Sequence, residues 1–421
     1  MKAERLFTAV DIGTVKVCAL AAEMTEKGPR VLASAMVPSR GIKKGAVVSR
    51  DEAAASVRSA VHEVQTASGR KIPKAVVGIS GQHVSGIPGT GVIGIRGREI
   101  TPDDRIRAVD SAKATYMPLD REVLHVIPTE FVLDGEQGIT DPVGMSGVRL
   151  ESRVYIVTAQ AQAVQDLEQS CRTAGLEVLA MVFSPAATAL AILTRDEVVR
   201  GAVLIDIGGG TTDIAVFRNG ALVHAAVVGI GGLHLTNDLA VCLNVDVADA
   251  ERLKITAGAA CRETGHGSIH AGSSLPADAA RAISKSHLVS VIQPRCEELC
   301  ELVRQEMRRA CPQGPYPRSA VLTGGTAYLD NMSGLAASIL GIPARLGMPQ
   351  GKFGVQGSLR NPACAAAIGL LSYAFEHSVL DRMSALPGGV IGNMKKRVTD
   401  LTGYKDFLEM LQKKKKGVSY V

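Results

Sequence analysis

Short, nearly unbroken apolar runs alternate with amphipathic stretches along this chain. Residues 6–10 form the first run, Asp11-Ile12-Gly13-Thr14 makes a polar turn, and residues 15–21 run back, the pattern of a strand hairpin with a glycine-containing turn. Val57, Val61 and Val64 recur at helical spacing and predict a helix over residues 53–67. A strand over 75–79 leads into Ser80-Gly81-Gln82-His83. Residues 84–159 are rich in Gly and Pro and alternate like short strands. One helix-like run, 102–115, interrupts them, opened by Thr101 as a cap with Asp104 three residues on. A helix over 161–174, a strand over 177–182 and a helix over 186–193 follow.

The most apolar strand, 202–207, reaches Asp206 and is followed by the turn Gly208-Gly209-Gly210-Thr211-Thr212-Asp213 and a return over 214–217. A strand–Asp–Gly–Thr–strand unit therefore occurs twice, about half a chain apart, which suggests internal duplication. Helices are predicted over 247–257 and 288–309, with a loop or short strand over 261–274 between them. A strand over 320–322 enters Thr323-Gly324-Gly325-Thr326, an apolar helix covers 364–375, and a Pro/Gly linker over 384–392 precedes a basic tail.

With 421 residues the chain has room for two or more domains. It is 46% hydrophobic and 21% charged, with 3% aromatics and no Trp, so its core must be Val, Ile, Leu and Ala, which suits buried parallel strands covered by helices. The formal charge is +6, and residues 394–421 hold eight Lys and Arg against three acids, +5 of that excess. The near-neutral body argues against a nucleic-acid surface, and the basic tail asks for an anionic partner. Eight cysteines contain no CxxC pair, and Cys18, Cys242 and Cys364 sit in apolar runs as small hydrophobes. Neither a signal-peptide stretch nor a spanning segment of about 18 apolar residues is present. A cytoplasmic protein that meets membrane only from the surface is expected.

The two turns carry the candidate chemistry. Glycine lets the backbone approach phosphate, and amides with Thr hydroxyls form an anion cradle. Asp11 and Asp206 would repel phosphate and are better suited to Mg²⁺, held through its waters. Lys16 could reach a phosphate as a point charge. Gly324-Gly325 could let a flat base pass close to the backbone. Each turn alone reads equally as a simple hairpin or loop. Cys261, His266 and His270, with Cys242, fall short of a structural zinc set.

In their order and spacing the three glycine elements resemble the two phosphate loops and the adenosine loop of the actin, sugar-kinase and chaperone ATPase superfamily. VDIGTVKV, VVGISGQHV, VIPTEFVLDG with DPVGMSGVRLE, LIDIGGGTTDIAV, DAERLK, IQPRCEEL and VLTGGTA together resemble the FtsA family of actin-like bacterial cell-division proteins, over about residues 5–375. The resemblance implies a two-domain actin-like (duplicated ribonuclease H-like) α/β fold. Domain one would cover 1–200, with a family-specific inserted subdomain over about 84–161 and completion by a helix over 364–378. Domain two would cover 201–363, with a linker over 379–403 and a tail over 404–421.

The resemblance also implies ATP with Mg²⁺ in the cleft. Asp11, Gly13, Thr14 and Lys16 match the first phosphate loop. Asp206, Gly208, Gly209, Gly210, Thr211, Thr212 and Asp213 match the second, and Gly324, Gly325 and Thr326 the adenosine loop. Glu251 and Lys254 match the nucleoside-side pair, the alternative being a solvated helix face. Asp11 and Asp206 are expected at the metal, and Asp206 or Asp213 to orient the attacking water. Ser184 stands where the rod-shape actin MreB has a carboxylate, so hydrolysis is expected to be slow and nucleotide to act mainly as an assembly switch.

Tyr404, Phe407, Leu408 and Leu411 share one helix face, and Lys413, Lys414, Lys415 and Lys416 follow, a pattern that fits an interfacial helix on anionic lipid. A tail docked on the body, or a disordered one, is the competing reading. The implied partners are the tubulin-like filament protein FtsZ, the chain itself, inner-membrane lipid and later division proteins, at the cytoplasmic face of the division site. FtsZ's tail would dock near residues 238–290. The alternatives are a PilM-like ATPase of pilus assembly and a small-molecule kinase of the same superfamily.

Overall fold

The computed structural model describes residues 6–384 apart from 26–27, 97–98, 114–117, 262–283, 313, 351–352, 354 and 356; for 378–384 it describes the backbone helix alone. The expected membrane residues Tyr404, Phe407, Leu408, Leu411 and Lys413 to Lys416 lie outside these residues, as do His266 and His270.

The first lobe begins with β1 (Leu6–Ile12), β2 (Lys16–Thr25) and β3 (Gly28–Pro38), an antiparallel meander, followed by the short pair β4 (Ile42–Lys43) and β5 (Ala46–Val47). α1 (Arg50–Ser68) starts on the Ser49 cap and ends at Gly69 in the left-handed region, which satisfies its terminal groups from the chain itself. β6 (Lys74–Ile79) then pairs parallel to β1.

An excursion follows: β7 (Val84–Gly94), α2 (Pro102–Lys113), β8 (Arg121–Leu133), β9 (Glu136–Ile139) and β10 (Arg149–Gln160), forming a separate four-stranded sheet in the order β7-β10-β8-β9. Thr101 and Asp104 cap α2 reciprocally: the Asp104 amide donates to Thr101 Oγ1 at 3.2 Å and the Thr101 amide to Asp104 Oδ2 at 3.0 Å. Gln160 N donates to His83 O at 3.1 Å, so the excursion starts and finishes at one point. The chain then resumes the first lobe with α3 (Ala161–Thr173), β11 (Glu177–Phe183), α4 (Ser184–Ile192) and α5 (Arg195–Arg200), and completes a sheet ordered β11-β6-β1-β2-β3.

The second lobe repeats this plan. β12 (Ala202–Ile207), β13 (Thr212–Arg218) and β14 (Ala221–Val228) form the meander, α6 (Gly232–Leu243), α7 (Val247–Ala257) and α8 (Lys285–Ala310) the excursion, and β15 (Ser319–Thr323), α9 (Met332–Leu340) and β16 (Ala344–Leu346) the parallel return. The order is β14-β13-β12-β15-β16, the same topology as the first sheet with the chain direction of each pair preserved. α10 (Ala365–Ser384) returns to pack on α4, β1, β2 and β6 of the first lobe. It runs through Ser384, so residues 379–384, expected as linker, are helical.

Alternation along the strands joins the lobes. Val203, Ile205, Ile207, Ile214, Val216, Ala320 and Leu322 bury one face of the second sheet among its own helices. Leu204, Ala215, Phe217 and Val321, one residue out of step, turn to the other face and enter the core of the first lobe. Of the cysteines expected to be buried, Cys18 and Cys364 are; Cys242 is exposed. It lies in the last turn of α6, beyond the buried Leu235 and Leu239.

Candidate functional site

Both hairpin turns close in the same way. Gly13 N donates to Lys16 O and Gly208 N to Thr211 O, each at 2.9 Å. A Cβ on Gly13 or Gly208 would sit only 3.1 or 3.2 Å from that carbonyl. These two amides are spent on closing the turns. The turns also meet: a Cβ on Gly210 would lie 2.6 Å from Thr14 Oγ1, and one on Gly209 2.1 Å from Val15 Cγ2. Only glycine permits this approach.

Around them lies a cavity of about 290 Å³, lined by residues of both lobes. Asp11, Gly13, Thr14, Lys16, Asp206, Gly208, Gly209, Gly210, Thr211, Asp213, Glu251, Lys254, Gly324, Gly325 and Thr326 all reach its wall. Thr212 does not: its hydroxyl donates to Ile230 O at 2.8 Å, on the opposite face of β13 from Thr211 and Asp213. The wall also holds Gly45, Ser80, Ser184, Leu233, Ile255 and Ala363, which the turn motifs do not mark.

The second lobe's wall is braced through its backbone. Gly232 N and Leu233 N at the start of α6 donate to Gly208 O and Gly209 O at 2.9 and 2.8 Å, and Thr326 Oγ1 donates to Gly208 O at 3.1 Å. Gly324 takes φ +85°, and a Cβ there would lie 2.4 Å from Asp206 Oδ1, so the position needs glycine on both counts. Lys254 is buried, with Nζ donating to Glu251 Oε2 at 2.7 Å, Thr236 Oγ1 at 2.9 Å and Gly232 O at 3.1 Å. The Glu251–Lys254 pair is thus a fixed wall of the cavity, not a solvated helix face.

Three carboxyls from the two turns converge at the base. Asp206 and Asp213 are register partners across the β12–β13 hairpin. Burial and the neighbouring Asp11 push Asp206 up to about 7, against the opposing pull of Lys16 and Thr188. Burial and Asp206 push Asp213 up to about 8. Ser80 tempers that shift, yet Asp213 Oδ1 and Ser80 Oγ are both buried without a hydrogen-bond partner. Burial also raises Asp11, partly countered by Lys16. The Lys16 ammonium lies 3.8 Å from Asp11 Oδ2 and donates to Ala363 O. Among the described residues no three acidic, His or Cys side chains are grouped so as to hold a metal ion directly; buried, mutually repelling carboxyls of this kind fit a hydrated divalent cation held through its waters.

Two lobes of equal topology, a small sheet inserted into the first, and paired glycine turns facing one cleft define an actin-like fold. Solved structures agree on the fold: the chain resembles a PilM–PilN type IV pilus biogenesis complex (TM-score 0.63, 19% identity, covering 87% of this chain and 98% of that one). It also resembles MreB5 of Spiroplasma citri bound to ADP (TM-score 0.53, 14% identity, covering 90% and 98%). Residues 203–369 match the family described as "Cell division protein FtsA", and residues 81–158 match "SHS2 domain inserted in FTSA", the excursion sheet. The chain is 40% identical to the cell division protein FtsA of Pseudomonas aeruginosa over 374 residues, 88% of this chain and 90% of that protein. It is 31% identical to that of Escherichia coli K12, covering 88% and 91%. The chain belongs to the FtsA family of cell-division proteins.

Proposed function

We propose that this chain binds ATP with Mg²⁺ in the cleft, assembles with itself, and holds FtsZ filaments to the cytoplasmic face of the inner membrane through residues 404–421. The observation that carries the reading is the meeting of both glycine turns, three buried carboxyls and the Glu251–Lys254 wall at one cavity. Membership of the FtsA family supports the division role over pilus assembly or small-molecule phosphorylation.

In this reading the amides after Gly13 and Gly208, with Thr14 and Thr211, take the phosphates. Lys254, Glu251 and Gly324 to Thr326 flank the nucleoside, and Asp11 and Asp206 hold the metal through its waters. Mg²⁺, when bound, supplies positive charge that offsets phosphate and carboxylate together. Asp213, with Oδ1 unpaired, is placed to orient a water. Ser184 on the cavity wall offers a hydroxyl and no carboxylate, which fits slow hydrolysis and nucleotide acting as a switch. Among the described residues no helix is long and apolar enough to cross a membrane, so attachment rests on the tail's apolar face and lysines, strengthened by multivalency on assembly.

The test is sedimentation with anionic vesicles, comparing the full chain with one ending at Gly403, with and without ATP–Mg²⁺. Binding by the full chain alone, strengthened by ATP–Mg²⁺, and co-sedimentation of FtsZ are expected. Equal binding by both chains, or by neither, overturns the tether.

A further inference from the structure

Ser80 directly follows β6 at the cleft, and the glycine turns do not mark it. Continuing the alternation of β6 puts its side chain on the face that carries Gly78. That face looks at the base of the site: a Cβ on Gly78 would lie 2.7 Å from Ser184 Oγ and 3.3 Å from Asp11 Oδ1. The Ser80 backbone is fixed from the other side. A Cβ on Gly45 would lie 2.3 Å from Ser80 O, and Gly45 N donates to Thr14 Oγ1 at 3.1 Å. Thr14 Oγ1 is the atom against which Gly210 of the second turn rests. Ser80 is therefore held beside the point where the two turns meet, and it lines the same cavity as Thr14, Gly210 and Asp213. Among the described residues, Ser80 Oγ and Asp213 Oδ1 find no hydrogen-bond partner, neither in each other nor elsewhere. Leaving buried polar atoms unmatched is costly, and native proteins commonly meet such atoms with water. A hydroxyl and a carboxylate oxygen on the wall of a cavity of about 290 Å³ offer a water both room and polar partners.

We infer that Ser80 and Asp213 share the water that attacks nucleotide in the cleft, with Ser80 as the residue that aims it. This rests on the nucleotide reading given above and adds a second partner to the water that Asp213 orients. The water donates one hydrogen to Asp213 Oδ1 and accepts the Ser80 hydroxyl on one lone pair. Its other lone pair is then left to face the γ-phosphorus. In the step, the water oxygen bonds to that phosphorus, the bond from phosphorus to the β–γ bridging oxygen breaks, and ADP departs with that electron pair. One water hydrogen stays on the new P–OH group and the other passes to a phosphate oxygen, so Ser80 and Asp213 end as they began. With Asp213 alone the water swings about a single hydrogen bond; a second partner fixes its direction. Ser80 belongs to the first lobe and Asp213 to the second, so the water is aimed only while the two walls of the cleft stand together.

The experiment compares the full chain with its Ser80→Ala variant by affinity for a fluorescent ATP analogue with Mg²⁺, by single-turnover ATP hydrolysis, and by crystal structures with a non-hydrolysable ATP analogue and Mg²⁺. Affinity within about twofold of wild type and hydrolysis slowed about tenfold or more are expected, the signature of a group that acts on the step and not on binding. The wild-type crystal should hold one water within about 3.2 Å of both Ser80 Oγ and Asp213 Oδ1. Nucleotide-free Ser80→Ala should unfold at the wild-type temperature, because the lost hydroxyl has no protein partner. Unchanged hydrolysis in Ser80→Ala, wild type that binds the analogue without turning over ATP, or a wild-type site in which no water joins the two atoms overturns the inference and leaves the nucleotide reading standing. Joint loss of affinity and stability in Ser80→Ala assigns the hydroxyl to the frame of the site and overturns it as well. Failure of wild type to bind the analogue refutes the reading of the cleft itself, and this water with it.

Discussion

Asp206→Asn separates the cost of the site from its use. Burial and Asp11 push the wild-type carboxyl up to about 7 from an ordinary 3.8, so holding it ionised costs about 4 kcal/mol at roughly 1.4 kcal/mol per pH unit. Water entering the cleft screens part of this, and about 2–4 kcal/mol is the working range. Asparagine is nearly isosteric and carries no charge. It also removes the like charge that raises Asp213. Nucleotide-free Asp206→Asn should therefore be more stable than wild type at pH 8, by a few degrees in Tm.

The pH dependence has a definite sign. Between about pH 4 and 7 the native carboxyl keeps a proton that the unfolded chain has released, so wild-type stability falls as pH rises through that window. Asp206→Asn flattens the slope. Conversely, protons compete with Mg²⁺ for the ionised carboxyls, so Mg²⁺-dependent nucleotide affinity in wild type should rise about tenfold from pH 6 to 8. Thermal unfolding at pH 5, 6.5 and 8, with and without ATP–Mg²⁺, measures both effects. Asp206→Asn that is less stable than wild type at pH 8 without nucleotide, or that keeps wild-type stabilisation by ATP–Mg²⁺, refutes the reasoning.

Three further outcomes follow from the packing. Gly210→Ala places a Cβ 2.6 Å from Thr14 Oγ1, so the turns must separate and ATP affinity should fall at least tenfold by calorimetry; Gly334→Ala in α9, where a Cβ meets nothing within 4 Å, should leave it unchanged and add up to about 1 kcal/mol of stability. Lys254→Met strips the donor from Glu251, Thr236 and Gly232 and should cost about 2–3 kcal/mol in denaturant unfolding, part of it recovered by adding Glu251→Gln. Tyr155→Phe removes the hydroxyl that accepts from Ala225 N at 2.8 Å across the contact between the inserted sheet and β14, and should cost about 1–3 kcal/mol while leaving ATP affinity within twofold.

The strands flanking both chemical turns (β1, β2, β12 and β13), and the turns themselves, were legible because their signals are local: apolar runs, an Asp, and glycine where the chain reverses; the edge strands β3, β14 and β16 were not read. The excursion's alternation and the Thr101–Asp104 cap were equally plain. What escaped has physical reasons. α6 begins after Gly229-Ile230-Gly231, with no side-chain cap to read. Its first amides are satisfied by carbonyls of the second turn, two strands away in the sequence, so its start is a tertiary fact. Ser80, Gly45 and Leu233 enter the cleft for the same reason. Thr212 could have been set aside from the sequence, because side chains on a strand alternate and Thr211 and Asp213 already claim the cleft face.

That same alternation explains why the cleft can respond as a unit. The strand that presents Asp206 buries Val203, Ile205 and Ile207 in its own lobe and Leu204 in the other. Asp11 stands at the matching place on β1, and the Gly209–Gly210 turn rests on Thr14 and Val15. Neutralising the carboxyls therefore acts beside the point where the second turn packs directly on the Thr14 and Val15 side chains. A shift of either turn must be passed to β12 or β1 and so to the shared core. The inserted sheet meets the second lobe at β14, where the Ala225 amide donates to the Tyr155 hydroxyl at 2.8 Å.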